Sequence, residues 1–143
     1  MHIRGMLAGD LPRVSELSAQ LGYPVSHALL EQRYARITSQ SESGGLFIGL
    51  HGDLVGGWIH VYRVLLLESE PYAEVGGLVV DKLARRLGMG RALVGGARDW
   101  AQKQGLARLR VRSNVARVEA HAFYPALGFS RIKTTHTYEL KLA

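Results

Sequence analysis

Cysteine is missing from all 143 residues, which excludes disulfides, thiolate metal sites and cysteine nucleophiles together. No apolar run comes near the length that crosses a bilayer, and the opening MHIRGMLAGDL holds no long apolar stretch of the export type. No membrane partner and a cytoplasmic location are therefore expected. Carboxylates are in short supply: 12 Asp plus Glu face 18 Lys plus Arg, leaving a net charge of +6 that favours anionic partners. The basic residues build no run long enough for a nucleic-acid tail, and no aromatic platform or recognition-helix pattern accompanies them. No nucleic acid is expected, because a phosphorylated small molecule accounts for the charge equally well. Neither an internal repeat nor a low-complexity tract is present, since the 17 glycines are scattered without period.

What is there suffices for a folded core: 47% of the residues are hydrophobic, and one domain over residues 1–143 is expected. HIRGML reads as a strand. AGDLPRVSELSAQLGY reads as a helix with Asp10 at its N-cap, Pro12 in the first turn and Gly22 closing it. In SHALLEQRYARI, Leu29, Leu30, Tyr34 and Ile37 recur at helical spacing. LFIGLHGDLVGGWIHVYRVLLL contains two strands about a turn at His51, Gly52 and Asp53, and AEVGGLVV is a further strand. A helix with Met89, Leu93, Ala97 and Trp100 on its apolar side ends near Gly105. ARLRVRS alternates, Leu109 and Val111 facing one way and Arg108, Arg110 and Arg112 the other. VARVEAHAFYPALGF is a helix stopped by a Gly-Phe turn, and RIKTTHTYELKL is a closing strand. This order predicts an α/β (α+β) fold: a mixed, mostly antiparallel central sheet with one strand-helix-strand crossover near its middle and helices on its faces.

The segment DKLARRLGMGRALVGGARDWAQ, residues 81–102, holds the clearest chemical signal. A helix start presents unpaired backbone N–H groups, and glycines let an anion approach them. It is not a dinucleotide fingerprint, since Leu93 stands where the third glycine belongs. Nor is it a P-loop, since Gly96 and Ala97 follow where Lys and Ser or Thr are required. Spacing alone leaves two readings open, an anion site or glycines that merely permit close packing.

Within it, LVVDKLARRLGMGRAL resembles the acetyl-CoA-binding segment of the GNAT N-acetyltransferase family, whose pattern is Gln or Arg, two residues, Gly, one residue, Gly or Ala. Arg85, Gly88 and Gly90 match in order, and Leu78, Val79 and Val80 match the strand end before it. SNVARVEAHAFYPALGF resembles the family's later motif of Asn, a short helix, Phe-Tyr and Leu-Gly-Phe. The resemblance implies the GNAT fold and acetyl-CoA as co-substrate, with no metal. It implies that the pyrophosphate lies on backbone N–H groups from Leu87 through Gly88, Met89 and Gly90 to Arg91, with Arg85 and Arg86 beside it. It further implies that the pantetheine arm lies along Leu78–Val80, that the Leu78 N–H polarises the thioester carbonyl, and that Asn114 contacts the cofactor or fixes the strand splay. Asn114 as a plain helix cap is the alternative reading.

An ammonium must lose a proton before it attacks a thioester, so a base is required. Glu74 is the candidate: some family members carry their base at that place, and it precedes Leu78 by four residues, on the same face if side chains repeat every two. His60, His121 or an ordered water are alternatives, and Glu74 also reads as a solvated charge. The resemblance assigns the acid that protonates the departing thiolate to Tyr124, which otherwise reads as an aromatic packed beside Phe123 and Phe129. Two departures from the family are Pro125, which is expected to bend the last helix, and Lys82 in place of a common proline. The implied reaction is direct attack by a primary amine of a small molecule in a ternary complex, with Glu16, Glu31, Glu68 and Glu70 as candidates to attract a cationic acceptor. Acetylation of a protein N-terminus or lysine, and a non-catalytic acyl-CoA sensor, are the alternatives. The resemblance also leads us to expect a homodimer, since family members often pair through sheet edges or C-terminal strands.

Overall fold

His51 pairs with Leu54 across a two-residue loop, and Gly52 takes φ 62 as the first of those two residues. That placement lets the turn follow the twist of its flanking strands. The computed structural model describes residues 1–143, which divide into two compact units, Met1–Arg112 and Ser113–Ala143. The first contains β1 (His2–Gly5), α1 (Leu11–Gln20), α2 (His27–Thr38), β2 (Gly44–His51), β3 (Leu54–Val64), β4 (Tyr72–Val80), α3 (Met89–Lys103) and β5 (Leu109–Val111). Its sheet has the order β1-β2-β3-β4-β5. The first three contacts are antiparallel and the β4–β5 contact is parallel, because α3 carries the chain back across the sheet.

Each sheet face has its own helices. Helix α1 buries Leu11, Val14 and Leu17 against Ile48, Val55 and Val79, with Leu30 and Tyr34 of α2 and Trp58 of β3 packed alongside. Asp10 stands at the N-cap of α1 without capping it; its carboxylate instead accepts from the Leu7 N–H at 2.8 Å and from Arg4 at 2.8 and 3.0 Å. The Arg4 hydrogen bond is the main reason Asp10 titrates below the ordinary value. Leu29, expected in the apolar stripe of α2, is exposed. On the other face α3 buries Met89, Leu93, Val94, Ala97 and Trp100. It can lie this close because Gly45, Gly49 and Gly57 leave room for Trp100, Met89 and Leu93, where a Cβ would collide.

The second unit holds α4 (Val118–Ala126). The chain turns into it through Asn114, whose Oδ1 accepts from the Ala116 N–H at 2.9 Å and whose carbonyl accepts from the Arg117 N–H at 2.9 Å. Gly128, at φ 96, turns the chain out of it. The expected closing strand over RIKTTHTYELKL is not formed. The last backbone hydrogen bond runs from the Phe129 N–H to the Tyr124 carbonyl, and Ser130–Ala143 are exposed throughout. Alternation tells which side chains share a face, but a strand exists only where a neighbour pairs with its backbone. In consequence β5 is an edge strand, and the parallel crossover lies at the margin of the sheet rather than near its middle.

Candidate active site

The site is built around a break in the register of β4. Val61 pairs with Val75, but the next residue back along β3, His60, pairs with Gly77, so Gly76 is an extra residue and the strand bulges there. Gly76 and Gly77 project to one side: a Cβ on the first would lie 3.0 Å from Tyr62 and 3.1 Å from His60, and one on the second 2.9 Å from Trp58. Two successive side chains would not fit on that face, which explains the glycine pair.

The bulge corrects the expectation that Glu74 and Leu78 share a face. Glu74 pairs with Tyr62 and lies on the face of Trp58, His60 and Tyr62, whereas Leu78 pairs with Ile59 on the opposite face. Counting by twos fails because the extra residue reverses the alternation beyond it. The backbone reverses too. Before the bulge, the Ala73 N–H points to β5 and donates to the Arg108 carbonyl; after it, the Asp81 N–H points to β3 and donates to the Gly56 carbonyl. By alternation from Asp81, the N–H groups of Gly77 and Val79 face β3, and those of Leu78 and Val80 face the β5 side. Strand β5 pairs only with Ala73, Glu74 and Val75. From Gly76 onward β4 has no β5 partner, and two outward N–H groups border the gap. The Val79 side chain is core beneath α1, while Leu78 and Val80 are half-buried.

Glu74 is 6% exposed and held by two side chains the sequence reading did not assign to it. The Tyr62 hydroxyl donates to Oε2 in a short hydrogen bond, and Arg112 Nε lies 3.4 Å from Oε1. Burial, then the hydrogen bond to Glu74, pushes the Tyr62 hydroxyl up to about 12, so it remains a proton donor at neutral pH. The sequence did carry a signal: in WIHVYR the alternation that buries Ile59 and Val61 puts Trp58, His60 and Tyr62 on the other face. His60 lies 5.5 Å from the Tyr62 ring, and burial lowers its pKa, which keeps its imidazole neutral. Arg110 stacks on the Tyr72 ring with its guanidinium carbon 4.1 Å from the centroid. Of Arg108, Arg110 and Arg112, therefore, Arg112 is an ion-pair partner and Arg110 a stacking one.

Beyond the gap, Asp81 fixes the entrance to the glycine loop. It is 4% exposed, accepts from Arg13 of α1 at 2.6 Å and from the Leu83 N–H at 3.3 Å. Burial alone would raise its pKa, but the Leu83 N–H and the Arg13 hydrogen bond and charge outweigh burial and hold it below the ordinary value. Arg86 at φ 66 and Gly88 at φ 86 are both left-handed, and these two reversals deliver the chain to α3. No side chain caps α3, whose first helical bond is from the Ala92 N–H to the Gly88 carbonyl. The N–H groups of Met89, Gly90 and Arg91 are thus free at the positive end of the dipole. The Leu87 N–H is engaged by the Ala84 carbonyl at 3.3 Å. Arg85, Arg86, Leu87 and Arg91 are exposed around this turn, while the Met89 side chain is fully buried and pins it to the sheet. A Cβ at Gly88 would meet nothing within 4 Å. Gly88 is therefore open rather than closely packed, and it is its positive φ that calls for glycine, while the neighbouring Met89 side chain supplies the packing.

In the second unit, Tyr124 is half-buried with its ring edge-on to Phe123 at 5.0 Å and Phe129 at 5.6 Å. Burial raises its pKa against the opposing Arg117 charge, leaving a protonated hydroxyl. Pro125 is the penultimate residue of α4, which ends one residue later at Ala126. The Tyr124 carbonyl accepts from the N–H groups of both Leu127 and Phe129. His121 is exposed on α4 and Asn114 is exposed before it. Two of the acidic residues named for an acceptor are paired: Glu16 with Arg13 at 3.1 Å and Glu31 with His27 at 2.8 Å. Glu68 and Glu70 are exposed.

The sequence model of the acetyltransferase (GNAT) family matches residues 12–129. An aminoglycoside N(6')-acetyltransferase type 1 of Serratia marcescens is 29% identical over 75 residues, 52% of this chain and 51% of that protein. The match spans about half the length of that curated relative. Among solved structures, the apo aminoglycoside antibiotic 6'-N-acetyltransferase of Acinetobacter haemolyticus is similar at TM-score 0.83 and 18% identity, covering 100% of both chains. The glucosamine-6-phosphate N-acetyltransferase of Arabidopsis thaliana is similar at TM-score 0.84 and 17% identity, covering 98% of each chain. At such identities these two likenesses establish the fold.

Proposed function

Because the chain belongs to the acetyltransferase (GNAT) family, we propose that it transfers the acetyl group of acetyl-CoA to a primary amine of a small molecule, which attacks directly while both substrates are bound. The observation that carries this reading is the gap along Gly76–Val80, with outward N–H groups at Leu78 and Val80, followed by the uncapped start of α3. Acetyl-CoA supplies an activated thioester and a pyrophosphate, and both fit this backbone. The free N–H groups of Met89, Gly90 and Arg91 hold the pyrophosphate, with Gly88 giving access and Arg85, Arg86 and Arg91 adding charge. Leu78–Val80 align the pantetheine arm, and the Leu78 N–H stabilises negative charge on the carbonyl oxygen.

Glu74 is the base that takes the proton from the ammonium. Tyr62 and Arg112 keep its carboxylate oriented, and neutral His60 is the nearest alternative. Tyr124 gives a proton to the departing sulfur, a role supported by the burial that keeps its hydroxyl protonated. Asn114 shapes the turn into α4 and is assigned to the cofactor by the motif alone. Because one family match spans both compact units, we treat residues 1–143 as one catalytic domain. The small-molecule acceptor is supported by the aminoglycoside-acetylating relative.

Titration calorimetry with acetyl-CoA, with NAD as the control, tests the cofactor; equal affinity for NAD sinks the assignment. Thiol release against amino sugars, polyamines and peptides with free N-termini or lysines tests the acceptor, and turnover confined to peptides would move the acceptor to protein. One observation favours a second reading: Glu74 already has two partners, as it would in an acyl-CoA-binding module without turnover. Tight acetyl-CoA binding with no thiol release from any amine would select that reading.

A further inference from the structure

Glu74 is the only acidic residue in the five strands, yet the face it lies on is rich in cations. Arg110 is its register partner across the β4–β5 contact and stacks on Tyr72, and the Arg108 guanidinium carbon is 5.9 Å from the centre of the same ring. Arg112 comes closest to the carboxylate. Its Nε faces Oε1 at 3.4 Å, while 71% of its side chain is exposed. Both terminal nitrogens of Arg112 are left without a hydrogen-bond or ion-pair partner.

These positions decide what an acceptor meets. Tyr62 occupies Oε2, so an amine within hydrogen-bond reach of Glu74, about 2.6–3.2 Å, shares Oε1 with Arg112. An ammonium there is a second cation beside the guanidinium, and like charges repel more strongly at a half-buried site than in water. Any further positive charge on the acceptor meets Arg112 or Arg110 in turn. An anionic group a few bonds from the amine has the opposite effect. It lies against the free end of the Arg112 fork, whose N–H groups match the oxygens of a carboxylate or phosphate. We propose that the acceptor is an anionic amine, carrying a carboxylate or phosphate close to its primary amine, and that Arg112 selects it. Nε holds Glu74 and the end of the fork reads the acceptor. The proposal rests on the acetyl-transfer reading above and narrows it: polycations such as aminoglycosides and polyamines are poor acceptors here, the reverse of a cationic acceptor drawn by exposed acids.

The test measures thiol release with each standard amino acid against its carboxamide, with glucosamine 6-phosphate against glucosamine, and with spermidine and neamine as polycations. At least one anionic amine is expected to exceed its uncharged counterpart in kcat/KM by roughly ten- to a hundredfold, and both polycations to fall below it. The carboxylate and phosphate pairs tell the two sources of the anion apart. Arg112→Gln is expected to lower kcat for every acceptor, because Glu74 loses a partner, and also to bring the anionic-to-uncharged ratio to about one. Arg112→Lys keeps the charge without the fork and is expected to retain part of the ratio. An Arg112→Gln enzyme that slows all acceptors alike and keeps the wild-type ratio overturns the proposal, as does a wild type that prefers spermidine or neamine. Calorimetric titration of the same pairs into the protein with coenzyme A bound gives a readout independent of turnover. Selective binding of an anionic amine that Arg112→Gln abolishes, with no thiol released from any amine, upholds the anion site and overturns acetyl transfer. Neither turnover nor selective binding overturns both.

Discussion

Gly56–Gly57 in β3 and Gly76–Gly77 in β4 use one device on neighbouring strands. Each pair inserts an extra residue into its ladder and points two missing side chains to the same face. Their surroundings differ. At the first pair a Cβ would meet Met89, Ala84, Leu93 and, 2.7 Å away, the Val79 carbonyl oxygen, atoms locked in place by packing. At the second it would meet the rings of Tyr62, His60 and Trp58, which border the carboxylate and the gap. The β3 bulge seats the start of α3 on the sheet; the β4 bulge sets Leu78 on the face opposite Glu74 and turns the Leu78 and Val80 N–H groups to the side without a β5 partner. Equal sequence signals therefore carry different penalties, set by whether the neighbours can move.

Substitutions can separate the two. The largest effect is expected at Gly57→Ala, where neither the Val79 carbonyl nor Leu93 can retreat: a loss of about 3 kcal/mol of stability by urea unfolding. A loss below about 0.5 kcal/mol would show that the first bulge is as pliant as the second. Next comes Glu74→Gln, with turnover reduced about a hundredfold near neutral pH and acetyl-CoA affinity retained. The deficit is expected to shrink as pH rises, because more of the amine then arrives already neutral. A pH profile overlaying the wild type would transfer the role to His60, His121 or water.

Asp81 ties the β3 bulge to α1, since its N–H reaches the Gly56 carbonyl and its carboxylate reaches Arg13. Asp81→Asn is expected to cost about 2 kcal/mol at pH 7. Because the folded pKa lies below the ordinary 3.8, the wild-type advantage is complete above that value and is lost as pH falls through the lowered one. A deficit that persists unchanged in strong acid would assign it to packing. The smallest effect is expected at Gly76→Ala: about a tenfold loss of turnover as the Tyr62 and His60 rings shift, with under ~1 kcal/mol of stability lost. Equal losses in both measures would dissolve the contrast.

Elements with a local cause were legible from sequence: the hairpin from Gly52, the apolar stripe of α3 and the glycine turn that opens it; Glu74 was named as a candidate base, but its burial came only with the structure. The rest depended on partners distant in the chain. A Gly-Gly pair in a strand does not announce whether it inserts a residue, so period-two counting set Glu74 and Leu78 on one face when the bulge separates them. Arg112 follows Glu74 by 38 positions, and only the parallel register of β5 brings them together. The closing segment had the alternation of a strand and lacked the neighbour that would make it one.

The gap beside Gly76–Val80 has a consequence for hydrogen exchange. Amide protons along this part of β4 divide by parity: those of Gly77 and Val79 face β3, and those of Leu78 and Val80 open to the unfilled side. In the free protein the second pair is expected to exchange with deuterium far faster than the first, a sawtooth within four consecutive residues of one strand. Acetyl-CoA should flatten that sawtooth by slowing Leu78 and Val80 alone, which would test, one proton at a time, the amide proposed to polarise the thioester oxygen.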